Sequence, residues 1–443
     1  MGVDYHEVFS PTFKPATLRV ILALAATHDL HLRSIDFSSA YLNGDLEEEV
    51  YMTQPEGFPQ GSPTQVLRLK KSLYGLKQAG RQWNKKLFSQ LESMGFKACE
   101  SDKSCYIYIR GSVKIILPIY VDDATLVSDS EAEIDKVILE LQKVFKLRDL
   151  GVSEWLLKLK IERNWALHQI SISQAQYAKD MLASFGMDDC KPVTTPMVPG
   201  LTLTKDMCPP PNAPEDREFK SRYLSAVGSL LYLSTMTRPD ISYTVGVLAR
   251  FSSNPGKQHM DAVKHLFRYI KGTLDYKLTF GPISSSGPLF TTYSDADYGG
   301  CKDSGKSTGG YVVMMGGAAV SWRSKIQPTV SQSTTEAEFV AASEAGKELK
   351  WMRNLLKELG FGVTGSSTLH LDNQSAIQVC KNPEHHGRMK HLDMKYFWIR
   401  DEVVRKVIEV VYVPTGDQLA DILTKPLGRV LVQKFVGLLG LRV

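Results

Sequence analysis

Several patterns that would tie a chain to export, a membrane or a metal knuckle are missing from this sequence. Its six cysteines are scattered over 443 residues with no Cys-x-x-Cys pair, which argues against a zinc site and fits a reducing compartment. Apolar runs such as 20–26 (VILALAA) are too short to cross a bilayer. The N-terminus shows no basic leader followed by an apolar core, so the expectation is an intracellular protein that is not secreted and has no membrane partner. No internal repeat is found. One further absence is local: from Gly57 through Leu91 there is no Asp or Glu. The same stretch carries Arg68, Lys70, Lys71, Lys77, Arg81, Lys85 and Lys86, interleaved with Tyr74 and Trp83. Cations with aromatics among them suit a polyphosphate backbone and stacked bases. The segment therefore reads as nucleic-acid-binding, through Lys70, Lys71, Lys77, Arg81, Trp83, Lys85 and Lys86.

What is present is ordinary globular protein, 43% hydrophobic and 23% charged, long enough for two or three domains. Two stretches look like boundaries: the proline-rich 195–216 (TPMVPGLTLTKDMCPPPNAPED) and the Gly/Ser/Pro run 280–289 (FGPISSSGPL). In the first part, LRVILALAATHDL predicts a helix and HLRSIDF a strand ending at Asp36. Residues 131–147 place Ile134, Val137, Ile138, Leu141, Val144 and Phe145 on one helical face. The middle, 217–272, predicts a helical pair. The last part begins with the strand LFTTYSDADYGG and the hairpin STGGYVVMMGGAAVSW. A long helix over 335–359 follows, then the strand STLHLD and another helix. Strands followed by helix, strand and helix suit a sheet covered by helices.

The stretch YVDD (120–123) sets two adjacent carboxylates between apolar runs. A polar β-turn would account for it, but a buried charge needs a partner. Asp36, at the end of a predicted strand, and Asp122, at the hairpin tip, could share a divalent cation, because Mg²⁺ takes one or two carboxylates plus substrate phosphates. In the last part, Asp295 lies in a strand, Glu338 on the long helix, Asp372 at a strand end and Asp421 in LADILTK. One carboxylate from each of four elements can build a two-metal nuclease. Asp297 shares a strand face with Asp295, and Glu336 lies about 200° from Glu338 around the helix, so only one of that pair can face the metals.

The segments SIDFSSAYLNGDLEEEVYMTQPEGF, LKKSLYGLKQAGRQW and YVDD resemble the palm motifs of copia-type LTR retrotransposon reverse transcriptases, and the resemblance runs on through LADILTK. It implies an α+β architecture: a reverse-transcriptase palm over 1–165, a thumb and helical tether over 166–280 containing the linker 195–216, a ribonuclease-H-like α/β domain over 288–427 and a C-terminal tail over 428–443. It further implies that Asp36, Asp122 and Asp123 hold catalytic metals, that Tyr41 gates the ribose 2′-position and that Gln78 lies beside the incoming nucleotide. The four later acids resemble the ribonuclease H set of the same family, with Glu338 preferred for its AEF context and Asp295 for its position. The implied cofactor is Mg²⁺, two ions per site, with Mn²⁺ as an alternative. The implied partners are an RNA template, a DNA primer, an RNA–DNA hybrid and deoxynucleoside triphosphates, with self-association or assembly with other polyprotein products, and the implied location is a cytoplasmic virus-like particle or the nucleus. HHGRMKH (385–391) reads as nucleic-acid contact or a loop. Two departures stand out: the family's basic fingers precede the point where this pattern begins, and Lys158 stands where the family has glycine. They set an alternative expectation, a polymerase-inactive remnant that binds nucleic acid and keeps at most ribonuclease H activity.

Overall fold

Helix α1 (Pro15–Thr27) forms from the apolar run as expected, with proline at its first position, where the missing N–H costs nothing. Its N-terminus is capped from a distance: the buried Asp102 carboxylate accepts hydrogen bonds from Lys14 N at 2.8 Å and Thr17 Oγ1 at 2.6 Å. The computed structural model describes residues 7–62, 64–210, 212, 214, 216–283, 287–382 and 394–443. The chain divides into two compact units. The first comprises residues up to Leu18, Asp29–Leu157 and Glu358–Gly360, and the second Arg19–His28, Lys158–Lys357 and Phe361–Val443.

The first unit holds β1 (His31–Phe37), the two-stranded ribbon β2 (Asp45–Thr53) and β3 (Val66–Lys71), and helix α2 (Ala79–Ser93). Strands β4 (Lys97–Ala98), β5 (Cys105–Arg110), β6 (Val113–Tyr120) and β7 (Asp123–Ser128), helix α3 (Glu131–Gln142) and β8 (Leu147–Val152) follow. An antiparallel sheet in the order β4-β5-β6-β7-β1-β8 results. Ile35, Phe37, Leu117 and Leu126 from the strands meet Trp83, Leu87 and Leu91 of α2 and Ile134, Ile138 and Leu141 of α3 in one core. Period-2 burial on strands and period-3.6 burial on helices converge there. Val144, expected on the buried face of α3, is 48% exposed, because the helix stops at Gln142 and its phase is lost.

In the second unit, after β9 (Trp155–Leu156) of the first, β10 (Leu159–Asn164) pairs with β11 (Gln169–Ser173), β11 with β12 (Lys277–Phe280), and β12 with the C-terminal strand Leu441–Arg442. Helices α4 (Ala175–Ser184), α5 (Arg217–Met236), α6 (Ser242–Ala249) and α7 (Lys257–Lys271) lie between these strands in sequence. The expected helical pair is thus a trio. Pro239 disfavours helix at the preceding residue, and α6 is apolar on nearly every side, so it carries no amphipathic period. The stretch 195–216, expected as a linker or long loop, is largely irregular backbone but not a free linker: Thr195, Met197 and Leu203 are buried, and His265 Nε2 lies 3.0 Å from Thr195 O. Nor is 428–443 a loose tail, since it forms the helix Arg429–Leu438, which buries Phe435, and the strand beside β12.

The remaining elements are β13 (Thr291–Asp297), β14 (Thr308–Met315), β15 (Ala318–Ile326), α8 (Thr334–Glu358), β16 (Ser367–Leu371), α9 (Gln374–Lys381), α10 (Trp398–Val404) and β17 (Ile408–Tyr412). Their sheet runs β15-β14-β13-β16-β17, with β13, β16 and β17 parallel. This is the sheet-with-helices order expected for the ribonuclease-H-like part.

Between β9 and β10, Leu157 and Lys158 both take positive φ, 48° and 58°. The left-handed region costs an L-residue about 1–2 kcal/mol, and glycine gives back part of the relief through its looser unfolded state. Lys158→Gly is expected to stabilise the chain by about 0.5–1 kcal/mol in urea denaturation; a loss of stability would show that the lysine side chain contributes more than the turn costs.

Candidate active site

The first unit builds a carboxylate group from strand register. Asp36 on β1 and Asp123 on β7 are direct cross-strand partners, so their side chains share a face, an arrangement unfavourable for like charges. Burial first, then Asp122 and Asp36, push the Asp123 carboxyl up. Asp122 sits in the two-residue connection of the β6–β7 hairpin, where its carbonyl accepts from Phe37 N at 2.9 Å. The turn is strained: the β-branched Val121 has φ 60°. Trp83 Nε1 donates to Val121 O at 2.7 Å, and the indole lies edge-on to Phe37 and Phe145 with centroids at 5.3 and 5.4 Å. Trp83 is only 2% exposed, so the expectation of a stacking platform for bases is wrong for this residue. It braces the YVDD turn from the core. Its spacing to Leu87 and Leu91, four and eight residues on, carried that signal.

Tyr41 is half-buried against Tyr74, with ring centroids 4.9 Å apart, and its phenol is pushed up by burial and then by Asp122. Gln78 is 3% exposed and so stands closed to an incoming nucleotide, because it leads straight into the packed first turn of α2. Sequence reasoning missed Arg148, the register partner of Asp36, whose guanidinium lies 3.3 Å from Asp36 Oδ2. Four cations of the basic stretch meet acids outside it. Arg68 pairs with Glu49, Arg81 with Glu7, Lys85 with Glu47 and Lys86 with Asp45. Such exposed pairs are worth about 0–1 kcal/mol, so a phosphate backbone can exchange for them. Lys70, Lys71 and Lys77 form no ion pair among the described residues.

The second unit draws its carboxylates closer. Asp295 comes from β13, Glu338 from the first turns of α8 and Asp372 from just beyond β16, and their ligand oxygens lie within 4.8 Å of one another. Glu338 Oε1 accepts from Ala296 N at 3.2 Å, while Oε2 is buried without a partner. Burial first, then Asp295 and Asp372, hold the Glu338 carboxyl well above its usual range. Glu336 is spent elsewhere: its Oε2 accepts from Gln332 N at 2.9 Å at the start of the helix. Asp297 also turns away, accepting from Thr308 N across the β13–β14 ladder. The structure therefore brings Asp295 and Glu338, not their neighbours Asp297 and Glu336, into the group.

Asp421 falls outside the tightest set. It lies in the short 3-10 helix Leu419–Leu423, with Oδ1 2.9 Å from Lys425 Nζ. Burial, then Asp295, raise its carboxyl to about 7. Lys425 also reaches Asp295 Oδ2 at 3.4 Å, and the Thr424 hydroxyl donates to the same oxygen. Neither residue was foreseen, although Lys425 stands four positions after Asp421 in LADILTK. The segment can approach because β14 offers glycine: a Cβ on Gly310 would stand 2.8 Å from Thr424 Cγ2 and 2.9 Å from Leu423 Cβ. Three converging carboxylates, one with an unshared buried oxygen, fit a hard divalent cation such as Mg²⁺ or Mn²⁺. The histidines of HHGRMKH lie outside the described residues.

Residues 1–199 match the family model described as reverse transcriptase (RNA-dependent DNA polymerase). The putative transposon Ty5-1 protein of Saccharomyces cerevisiae is 32% identical over 71% of this chain and 100% of its own length. The retrovirus-related Pol polyprotein from transposon TNT 1-94 of Nicotiana tabacum is 43% identical over 97% of this chain. The chain belongs to the copia-type retrotransposon Pol polyproteins. It spans 32% of the tobacco polyprotein. A solved structure, the N-terminal ribonuclease H domain of rv2228c from Mycobacterium tuberculosis, overlaps 33% of this chain and 99% of that one at 13% identity and a TM-score of 0.22, too low to carry an argument.

In this copia-type segment the two turns and ladders around the carboxylates can be tested separately. Trp83→Phe keeps a ring in the core but leaves the Val121 carbonyl unpaired, and is expected to cost about 1–3 kcal/mol in denaturation; an unchanged midpoint would mean that the indole N–H does not hold the turn. Burial raises the Asp297 carboxyl to about 6. The folded state then keeps a proton that the unfolded chain has already released, so stabilisation present below about pH 4 is lost as pH rises through about 6. Asp297→Asn, whose carbonyl can still accept from Thr308 N, is expected to abolish that decline, at most about 3 kcal/mol, and to fold at least as stably at pH 8. A variant that keeps the wild-type pH profile would refute the assignment.

Proposed function

We propose that the second unit cleaves the RNA strand of an RNA–DNA hybrid and that the first is the palm of an RNA-directed DNA polymerase, together the reverse-transcribing machinery of a copia-type element. The observation that supports the nuclease reading best is the convergence of Asp295, Glu338 and Asp372 with the Glu338 Oε2 atom unshared. When bound, two Mg²⁺ or Mn²⁺ ions would supply a nucleophile at neutral pH and neutralise charge growing on the phosphate. Asp295, Glu338, Asp372 and Asp421 would hold them. Asp295 stands at the centre, its Oδ2 steered by the Thr424 hydroxyl, while the Ala296 amide of β13 fixes Glu338 of α8. Fixed dipoles and acids of this kind lower a barrier by being in place before charge develops.

In the palm, Asp36, Asp122 and Asp123 would hold the ions of primer extension, with Tyr41 facing the sugar of a deoxynucleoside triphosphate. Lys70, Lys71 and Lys77, with Arg81, Lys85 and Lys86 once released from their acids, would follow the backbone of template and primer. A second reading is favoured by two observations: Asp36 is paired with Arg148, and Gln78 is closed. On that reading the palm grips nucleic acid without extending a primer.

Asp372→Asn keeps size and removes charge, so hybrid cleavage in Mg²⁺ is expected to fall roughly 100-fold or more while hybrid binding is retained. Near-normal cleavage would falsify the nuclease assignment. Templated extension by the same preparation, abolished by Asp122→Asn, would support the polymerase reading; extension absent from the wild-type chain would leave the gripping palm.

A further inference from the structure

We propose that Lys425 is an internal cation standing in the place of one divalent ion, so that the free protein binds a single ion tightly and takes a second only when Lys425 is drawn away. This rests on the nuclease reading given above. The site is asymmetric about Asp295. On one side Asp295, Glu338 and Asp372 converge within 4.8 Å, and Glu338 Oε2 is buried with nothing to meet it. On the other side the Lys425 ammonium bridges two carboxylates, 2.9 Å from Asp421 Oδ1 and 3.4 Å from Asp295 Oδ2. Lys425 lies between Asp295 and Asp421, whereas Glu338 and Asp372 form no ion pair among the described residues.

A divalent ion entering the triad gains three acidic ligands, of which Asp295 alone is paired with a protein cation among the described residues, through Oδ2. An ion entering between Asp295 and Asp421 meets an ammonium at contact distance from both of its ligands, where like charges repel strongly because water is largely excluded. It can bind only if Lys425 leaves. The lysine can leave: its side chain is 35% exposed, and its long stem lets the ammonium swing into water or onto another anion. A phosphate of the hybrid backbone is such an anion. Substrate would therefore draw Lys425 off and open the second ion position, which couples hybrid binding to ion binding in both directions. Lys425 is in this sense a positioning residue that sets when the second ion arrives.

The test is Mn²⁺ titration of the full chain by calorimetry, with Asp36→Asn and Asp122→Asn in the background so that the palm does not contribute ions. The expected result is one tight ion, with the second weaker. In Lys425→Met the second ion should tighten by roughly 5- to 150-fold, the usual span of a coupling between two sites, whereas Lys425→Arg should keep it weak. A 2′-fluoro-substituted RNA–DNA hybrid, which keeps the phosphates and resists cleavage, should tighten the second ion in the Lys425 protein and have little effect in Lys425→Met. Two equally tight ions in the Lys425 protein would overturn the proposal and leave the nuclease reading standing, and that measurement needs no substitution at Lys425. Failure to bind any ion, or ion binding unaffected by Asp372→Asn, would instead overturn the nuclease reading itself.

Discussion

Mutual repulsion among buried carboxylates is the constraint around which the second unit is arranged. Asp295 is 1% exposed, and Glu338 and Asp421 are 6% exposed each; charges so placed cannot be left uncompensated without great cost. The structure answers with several devices at once. The Ala296 amide and the Thr424 hydroxyl donate into the group, Lys425 supplies a positive charge, and burial together with the neighbouring acids pushes the Glu338 and Asp421 carboxyls up. Each device depends on a backbone placement: β13 sets Asp295 and Ala296, α8 delivers Glu338, and Gly310 leaves room for Leu423 and Thr424. A domain that needed only stability would place apolar residues here. On the nuclease reading proposed above, the retained cost is what would make the group receptive to a cation.

The first unit meets a related problem with different means. Asp36 and Asp123 face each other across a ladder, and the hairpin that carries Asp122 holds Val121 at positive φ. Strain of that kind persists only where neighbours over-determine the conformation. Trp83 does so from the core through one hydrogen bond to the Val121 carbonyl, while Arg148 meets the Asp36 carboxylate at the surface. Here the compensation is more open to water, and the carboxylates do not close into a tight triad as those of the second unit do.

Much of this was legible in the residue order. The strand ending near Asp36, the hairpin at YVDD, the long helix carrying Glu338 and the strand before Asp372 follow from hydrophobic period, and period survives tertiary context. Most of what stayed hidden had no period to show it. Helix α6 is buried or half-buried along its whole length and shows no polar stripe, so nothing distinguished it from a buried connection. The stretch 195–216 has the composition of a linker, yet Met197 and Leu203 are apolar residues with a surface to cover, and they cover it. Trp83 sat among lysines and was grouped with them, although its i, i+4, i+8 relation to Leu87 and Leu91 placed it inward.

The choice within each acidic pair was hidden for a different reason. Asp295 and Asp297 share a strand face, so period cannot separate them; what separates them is that the Thr308 amide claims Asp297 across the ladder. Glu336 is likewise claimed by the Gln332 amide at the head of α8. In both pairs the residue that stays out of the carboxylate group is the one that an amide of its own ladder or helix start holds. That gives a physical criterion where spacing is silent: in a crowded acidic motif, the carboxylates available to a cation are those whose oxygens the backbone has left unsatisfied, and Glu338 Oε2 is the clearest of them.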